Sequence, residues 1–352
     1  MRSKIRAPLL ALLIVNVLVM LLGFFTDAYV QLNILFIVVN VLMALSLNLV
    51  NGFTGQFSLG HAGFMAVGAY TAVFFVTKIY FAPGLLGLFL IGIYSIAGGL
   101  LAALAGYLVG LPSLRLRGDY LAIVTLGFGE IIRVVLLNME FLGGPRGIAG
   151  IPPIPSIQIG SFEISSFYVA FFYASSWAVV CFFSLWRLCY SQYGLSFLGV
   201  REDEIAAEAM GVPTTKVKVR AFVLSSFFAG VAGSLMAHFT SYISPASFSF
   251  LLSVNAVIMV VLGGMGSLTG SILAAAIITV LPEALRPLQE ITGVDLRMVI
   301  YALALVLIMI IRPTGLFGDR EWPEIWRSWK TTRNLKKQTA AQKQSQSARS
   351  SS

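Results

Sequence analysis

Two charged residues, Glu130 and Arg133, lie within an apolar run at 119–141 that is long enough to cross a bilayer. On a helix, residues three apart project from one face and can form an ion pair. Glu130 lies about 16 Å along the helix axis from Asp119, which places it near the middle of the bilayer. Charges at that depth are costly and usually face the interior of a helix bundle. The spacing therefore leaves two interpretations open: a structural ion pair, or two charges close to a solute pathway.

A second polar stretch, residues 51–63, has the sequence Asn-Gly-Phe-Thr-Gly-Gln-Phe-Ser-Leu-Gly-His-Ala-Gly within an otherwise apolar region. These residues would interrupt a helix that faced lipid. Irregular backbone at membrane depth is tolerated only where it is buried in protein or lines a wet cavity. The stretch is therefore predicted either to line a pathway, through Gln56, Ser58 and His61, or to form a structural kink.

Residue patterns for catalysis are missing from the sequence. A phosphate-binding loop needs Gly-Lys-Ser/Thr, and no Lys follows a Gly in this chain. There is no nucleophile elbow and no His-Glu-x-x-His helix, and neither His61 nor His238 has a second metal ligand at a useful spacing. We therefore expect no catalytic residues, no cofactor and no metal site. Any work done by the chain must draw on an ion gradient or on a separate ATPase.

The composition places these residues in a membrane, because 58% of the chain is hydrophobic and only 11% is charged. A soluble domain of this size could not bury that much apolar surface. Small residues at every fourth position, such as Ser226, Gly230 and Ser234, predict close helix packing. We predict an all-α, polytopic bundle of transmembrane helices. The predicted spans are 8–25, 31–50, 57–77, 84–111, 119–141, 166–190, 219–243, two short helices or a re-entrant pair within 251–283, and 297–311.

The positive charges predict the topology. With the N-terminus in the cytoplasm, 19 of the 24 Lys and Arg residues fall on the cytoplasmic side and 4 on the other, in line with the positive-inside rule. Both termini must then be cytoplasmic, so eight or ten spans are favoured over nine. Membrane orientation also explains the net charge of +9 without a nucleic-acid partner. Residues 1–318 are expected to form the membrane domain, and the basic residues 319–352 a disordered cytoplasmic tail, either solvated or in contact with anionic lipid.

A short amphipathic helix is predicted at 202–210, within the cytoplasmic loop at about 191–218. The acidic residues Glu202, Asp203 and Glu204 suit the positive end of a helix dipole, and Gly211 is a stop signal. One side of the helix carries an apolar stripe of Ile205, Ala206, Ala209 and Met210. A helix of two to three turns is marginal in water, so it must pack either on the bundle itself or on a partner protein.

Several stretches resemble the LivM-type permease subunits of branched-chain amino-acid ABC importers. The matching stretches are Gly55–Phe64, Leu114–Arg133, Gly143–Gly147, Arg201–Gly211, Val261–Ser267 and Arg312–Leu316. The resemblance implies an inner-membrane permease subunit that translocates leucine, isoleucine and valine. It also implies its partners: a second homologous permease subunit, two cytoplasmic ATPase subunits and an extracytoplasmic solute-binding protein.

The resemblance further implies that the loop helix is a coupling helix that docks onto an ATPase. That role falls on Glu204, Ala206, Ala207 and Gly211, beside the acidic Glu202 and Asp203. The loop of this chain reads Glu-Ile-Ala-Ala, where the family motif has Glu-Ala-Ala.

Three alternatives stay open from the sequence. The glycine-rich stretches are shared with permeases for urea and other small polar solutes. An ion-coupled secondary transporter would use Glu130 and Arg133 in the path of the coupling ion and would work without an ATPase. An intramembrane enzyme is disfavoured, because no paired acid, base or nucleophile is found.

Overall fold

The computed structural model describes residues 26–79, 83–114, 116, 118–159, 162–286, 297–312 and 314–318. The predicted first span at 8–25 and the predicted tail at 319–352 lie outside these residues. The helices of the described part are α1 (Ala28–Asn48), α2 (His61–Lys78), α3 (Gly84–Ser113), α4 (Asp119–Asn138), α5 (Ser166–Cys189), α6 (Gln192–Glu202), α7 (Glu204–Ala209), α8 (Thr214–Thr240), α9 (Phe250–Gly263), α10 (Leu268–Ala284) and α11 (Arg297–Ile311).

Five helices of the described part are long and apolar enough to cross a membrane: α1 together with its π-helical extension Leu49–Phe53, α3, α4, α5 and α8. The prediction of an all-α membrane bundle is confirmed, while the number of spans and the side of the termini stay predictions. Helix boundaries fall within a few residues of the predicted spans. The predicted span at 57–77 starts late, at His61, because the polar residues before it are not helical.

The helix α8 forms the centre of the bundle and packs against α1, α2 and α3. Glycines make these contacts close. A Cβ atom added to Gly230 would lie 2.5 Å from the Cβ of Ala102, and one added to Gly68 would lie 2.2 Å from the Cα of Gly230. In lipid, helices associate by packing rather than by hydrophobicity. The predicted role of Gly230 and its neighbours in close packing is therefore confirmed.

The apolar region 251–283 consists of two helices, α9 and α10, joined by a tight turn. Gly264 and Gly266 have positive φ angles of 109° and 96°, which favour glycine. Asn48 at the end of α1 closes this turn: its amide nitrogen donates to Ser267 O and to Ser271 Oγ, each at 2.9 Å, and its Oδ1 accepts from Gly266 N at 3.0 Å. One side chain thus ties α1 to the turn and to α10.

Four short strands, which the sequence did not predict, form two small antiparallel pairs. Strand β1 (Ile148–Ala149) pairs antiparallel with β4 (Tyr242–Ile243), and β2 (Ile157–Ile159) pairs antiparallel with β3 (Phe162–Ile164). The first pair joins the region after α4 to the end of α8. Strands of two or three residues carry too little periodicity to be recognised in a sequence.

Candidate functional site

The polar stretch between α1 and α2 is an irregular segment in the interior of the bundle. Two of its backbone amides bond to side chains of other helices: Leu59 N donates to Thr125 Oγ1 of α4 at 3.1 Å, and Ala62 N donates to Ser253 Oγ of α9 at 2.9 Å. Within the segment, Ser58 N donates to Asn51 Oδ1 at 3.2 Å. Because irregular backbone is tolerated in a membrane only when it is buried or lines a cavity, these bonds explain how the segment persists there.

Three side chains of this segment carry buried polar atoms without a hydrogen-bond partner among the described residues. They are the Nδ2 atom of Asn51, both amide atoms of Gln56 and the hydroxyl of Ser58. The three side chains are 1–5% exposed. The Ser58–Asn51 bond holds two of them together. Buried polar atoms are normally paired, because leaving one unpaired costs about 1–3 kcal/mol. This group of unpaired donors and acceptors is therefore suited to binding a small polar molecule.

His61, in contrast, is engaged in the core. Its Nε2 lies 2.8 Å from Ser46 Oγ, and its ring meets the ring of Phe64 edge-on. Ser46 is itself held from α8, because Ser225 Oγ donates to the Ser46 carbonyl at 2.5 Å. These contacts join the start of α2 to α1 and α8. The histidine has a packing role that needs no solute.

Glu130 and Arg133 form the predicted ion pair on α4. Arg133 Nε donates to Glu130 Oε2 at 2.7 Å, and the side chains are 33% and 29% exposed for Glu130 and Arg133. The pair therefore lies on the boundary of the chain and not in its packed interior. On another face of the same helix, Thr125 bonds the polar segment, and a Cβ atom on Gly63 would lie 2.9 Å from the Cα of Gly129. The helix α4 thus carries the ion pair and supports the polar segment.

The predicted loop helix at 202–210 is the short helix α7, which begins two residues later than predicted. The helix α6 continues to Glu202, Asp203 adopts an extended conformation, and α7 begins at Glu204. The Asp203 carboxylate caps α7 by accepting from Ile205 N at 2.9 Å and from Ala206 N at 3.0 Å. The predicted start of the helix at residue 202 is therefore wrong, because the acidic residue at 203 acts as an N-cap. Gly211 follows the end of α7 and has a positive φ of 83°, as its predicted stop role requires.

Of the residues predicted to couple to an ATPase, Ala207 and Glu204 are held against the permease, while Glu202, Asp203, Ala206 and Gly211 are exposed. Ala207 is buried, and Glu204 is held by Lys218 of α8, with Nζ 2.6 Å from Oε2. Four neighbours outside the predicted set are exposed too: Ile205, Glu208, Ala209 and Met210. Ile205 and Met210 are 65% and 84% exposed. The outer surface of α7 therefore combines two large apolar side chains with carboxylates.

The polar segment touches the end of α6. A Cβ atom added to Gly55, whose φ is +67°, would lie 3.2 Å from Arg201 Cγ. The helix α6 also packs against the π-helical end of α1. Arg201 precedes the cap of α7 by two residues. The structure thus brings two separate sequence motifs into direct contact, the segment of Gln56 and the loop of α7.

Sequence reasoning missed several residues that build this site. Asn51 lies within the predicted polar stretch, but nothing in its position distinguishes it from its neighbours. Thr125 and Ser253 look like ordinary small polar residues of apolar helices. Lys218 is one of three basic residues at the start of α8, with Lys216 and Arg220, and only the burial of its side chain distinguishes it from the other two. In the described part of the chain, no group of three or more His, Cys, Asp or Glu residues could hold a metal ion.

The chain matches known proteins over most of its length. Residues 29–311 match the family model described as branched-chain amino acid transport system / permease component. The high-affinity branched-chain amino acid transport system permease protein LivM of Salmonella typhimurium is 40% identical over 298 residues, which cover 78% of this chain and 67% of the relative. The high-affinity branched-chain amino acid transport system permease protein LivH of Salmonella typhimurium is 25% identical over 287 residues, which cover 80% of this chain and 91% of the relative.

Among solved structures, PsaBC from Streptococcus pneumoniae in complex with Fab is 14% identical, with a TM-score of 0.39, and covers 82% of this chain and 92% of that chain. A likeness of this degree carries no argument about function. The family match and the identity to LivM do. The chain belongs to the family of permease components of branched-chain amino acid transport systems.

Proposed function

We propose that the chain is a membrane-spanning permease subunit of an ATP-driven importer that moves leucine, isoleucine and valine across the inner membrane. The observation that carries this proposal is the 40% identity to LivM over 78% of the chain. The five long apolar helices of the described part support a multi-pass protein. Residues 1–318 form the permease domain in this proposal, and residues 319–352 a basic cytoplasmic tail.

The proposed partners are a second homologous permease subunit, two cytoplasmic ATPase subunits and an extracytoplasmic solute-binding protein. ATP hydrolysis takes place in the ATPase subunits and not in this chain. Both termini and the loop with α7 lie in the cytoplasm, as the distribution of Lys and Arg residues indicates. This topology places α7 where a cytoplasmic ATPase can reach it.

In this proposal the ATPase contacts the outer surface of α7. Ile205 and Met210 supply exposed apolar area, and buried apolar anchors commonly dominate the energetics of a protein interface. Glu202, Asp203, Ala206 and Gly211 form the polar and small-residue surroundings. Ala207 and Glu204 face the permease itself, and they hold α7 in position for docking.

The solute passes the polar segment in this proposal. Gln56 and Ser58 present buried amide and hydroxyl groups without partners among the described residues, and these groups can bind the polar part of an amino acid. Glu130 and Arg133 offer complementary charges to a zwitterionic solute, and His61 fixes the start of α2. Movement of α7 reaches the segment through the contact between Arg201 and Gly55, so the ATPase and the pathway are mechanically linked.

The test is uptake by the complete complex, with its binding protein, in vesicles loaded with ATP. We expect ATP-dependent uptake of labelled leucine that isoleucine and valine inhibit and urea does not. Uptake that collapses with the ion gradient and ignores ATP would instead support a secondary transporter. Inhibition by urea alone would assign the chain to the related small polar solutes.

A further inference from the structure

The helix α4 is the least covered of the five long apolar helices in the described part. Its apolar window is 22% buried, against 39–67% for the other four. One face packs on the bundle through Leu121, Ala122, Thr125 and Leu136. The opposite side is open, with Ile123, Ile131, Val134 and Val135 exposed. The amount of open surface alone is compatible with lipid.

The ion pair argues against lipid as the cover of this surface. Glu130 and Arg133 lie within the span, and their side chains are 33% and 29% exposed. Charges inside a span are rare; they pair with one another or with backbone carbonyls, and even then they almost always face the bundle interior or a water-filled cavity rather than hydrocarbon. Glu130 lies about 16 Å from the start of a helix that is about 30 Å long, too deep for its short side chain to reach either membrane surface. The open side of α4 therefore needs a cover other than lipid tails.

A glycine on the same stripe leaves room for another helix. Gly127 is four residues from Ile123 and three from Glu130, so all three share one side of α4. A Cβ atom added to Gly127 would meet no atom of the described chain within 4 Å. By contrast, many other helical glycines of this chain, such as Gly230, are in contact with a neighbour. Small residues in membrane helices let a second backbone approach closely, and Gly127 has no neighbour within the described chain to use that room.

The relatives indicate what that second helix belongs to. LivM and LivH of Salmonella typhimurium are both permease proteins of a branched-chain amino acid transport system, and this chain is similar to both. Such a system thus contains two homologous permeases. We propose that the α4 stripe of Ile123, Gly127, Glu130 and Val134 is the contact surface for a second, homologous permease, with the ion pair at the boundary between the two subunits. This inference rests on the proposed function, because a permease that worked alone would have no such partner.

Photo-crosslinking tests the surface in the intact complex. Benzoylphenylalanine is introduced at Ile123 or at Val134 on α4. As a control, it is introduced at Leu85 or at Leu104 on the exposed side of α3. After irradiation of the membranes, mass spectrometry identifies what is attached. We expect peptides of a homologous permease at both α4 positions and lipid at both α3 positions. Attachment at α4 of lipid alone, of this chain's own residues 8–25 or of a second copy of this chain would each overturn the proposal.

A pair of glycine substitutions gives a second, independent measurement. Gly127→Leu fills the open room on α4, while Gly92→Leu is a matched change on α3, where an added Cβ would meet only Tyr173 Oη at 4.0 Å. At neither position does the added Cβ atom clash within the described chain, so we expect both variants to fold. We expect Gly127→Leu to lower the amount of co-purified homologous permease at least tenfold and Gly92→Leu to leave it unchanged. Equal amounts of co-purified homologous permease with both variants would overturn the assignment of this surface.

The two failures can be told apart. If no homologous permease co-purifies with the unmodified chain, the proposed function fails. If one co-purifies and the complex takes up leucine, but neither α4 position captures it, the proposed function stands and only the surface is wrong.

Discussion

Lys218 and Glu204 form the ion pair that fastens α7 to the base of α8, and their unequal burial predicts unequal effects of mutation. The lysine side chain is 4% exposed and the glutamate side chain is 23% exposed, with 2.6 Å between Nζ and Oε2. Glu204→Gln leaves a buried ammonium group without its counter-charge. Because stranding a buried charge costs about 3–5 kcal/mol and Glu204 is partly accessible, we expect a loss of about 3 kcal/mol. Lys218→Met leaves a carboxylate that can turn toward water, for a loss of about 1 kcal/mol.

The double variant Glu204→Gln/Lys218→Met should be more stable than Glu204→Gln alone. Replacing both partners of a buried pair is often neutral, because no uncompensated charge is left. We expect the double variant to lie within about 1 kcal/mol of the unmodified protein. The coupling between the two substitutions is therefore the quantity that reports the ion pair, as in any double-mutant cycle.

Hydrogen–deuterium exchange of peptides covering residues 203–211 in the purified complex measures this local stability. The reporting amides include Ala207 N and Met210 N, which bond Asp203 O and Ala206 O at 3.0 Å each. A loss of about 3 kcal/mol corresponds to about 100-fold faster exchange, and a loss of about 1 kcal/mol to about fivefold. Glu208→Gln, an exposed change on the same helix, should alter exchange little.

Uptake should be lowest in the variant whose residues 203–211 exchange fastest. ATP-dependent uptake falls in Glu204→Gln and recovers in the double variant, because α7 regains its position. Equal exchange rates in Glu204→Gln and Glu208→Gln, or strictly additive effects in the double variant, would refute the role of the pair. If Glu204 instead contacts the ATPase directly, adding Lys218→Met would not restore uptake.

Three further predictions concern the pathway, its link to α7 and the core. Gln56→Leu removes two unpaired buried polar atoms, so the free energy of unfolding should stay the same or rise by up to about 1–3 kcal/mol, and the melting temperature with it, while leucine uptake falls. Thr54→Val, which removes a hydroxyl bonded to Val50 O, is the control. A destabilised Gln56→Leu variant that still transports leucine would contradict the assignment. Gly55→Ala and Gly118→Ala both force a non-glycine residue into positive φ, at 67° and 59°, which strains the backbone, but only Gly55→Ala also presses on Arg201. Gly55→Ala should therefore lower the uptake per ATP hydrolysed, and an equal loss in Gly118→Ala would show that strain alone is responsible. Gly230→Leu pushes α8 away from α3, where an added Cβ would already lie 2.5 Å from Ala102 Cβ; overpacking of this kind costs about 1–3 kcal/mol or more, and thermal unfolding in detergent should show it, with Gly92→Leu as the tolerated comparison.

The sequence alone determined the helices and the local pairing. Apolar runs of sufficient length must be helical in a membrane, because every backbone polar group has to be satisfied within its own segment. For the same reason, the glycines and polar residues of the stretch at 51–63 are enough to predict irregular backbone there. The bond between Glu130 and Arg133 was predictable too, since residues three apart on one helix are always neighbours. Family membership likewise followed from motifs that stand in the sequence.

Only the tertiary structure decided which distant residues meet. Asn48 bonds the turn before α10, and Gly55 lies against Arg201. These pairings depend on how the helices pack, which no local pattern encodes. The same holds for the division of the loop into buried and exposed residues: Glu204 and Ile205 are adjacent in the sequence, but Lys218 holds the first and leaves the second exposed. The open side of α4 also became visible only once the rest of the bundle was in place, because the coverage of a helix face depends on which other helices pack beside it.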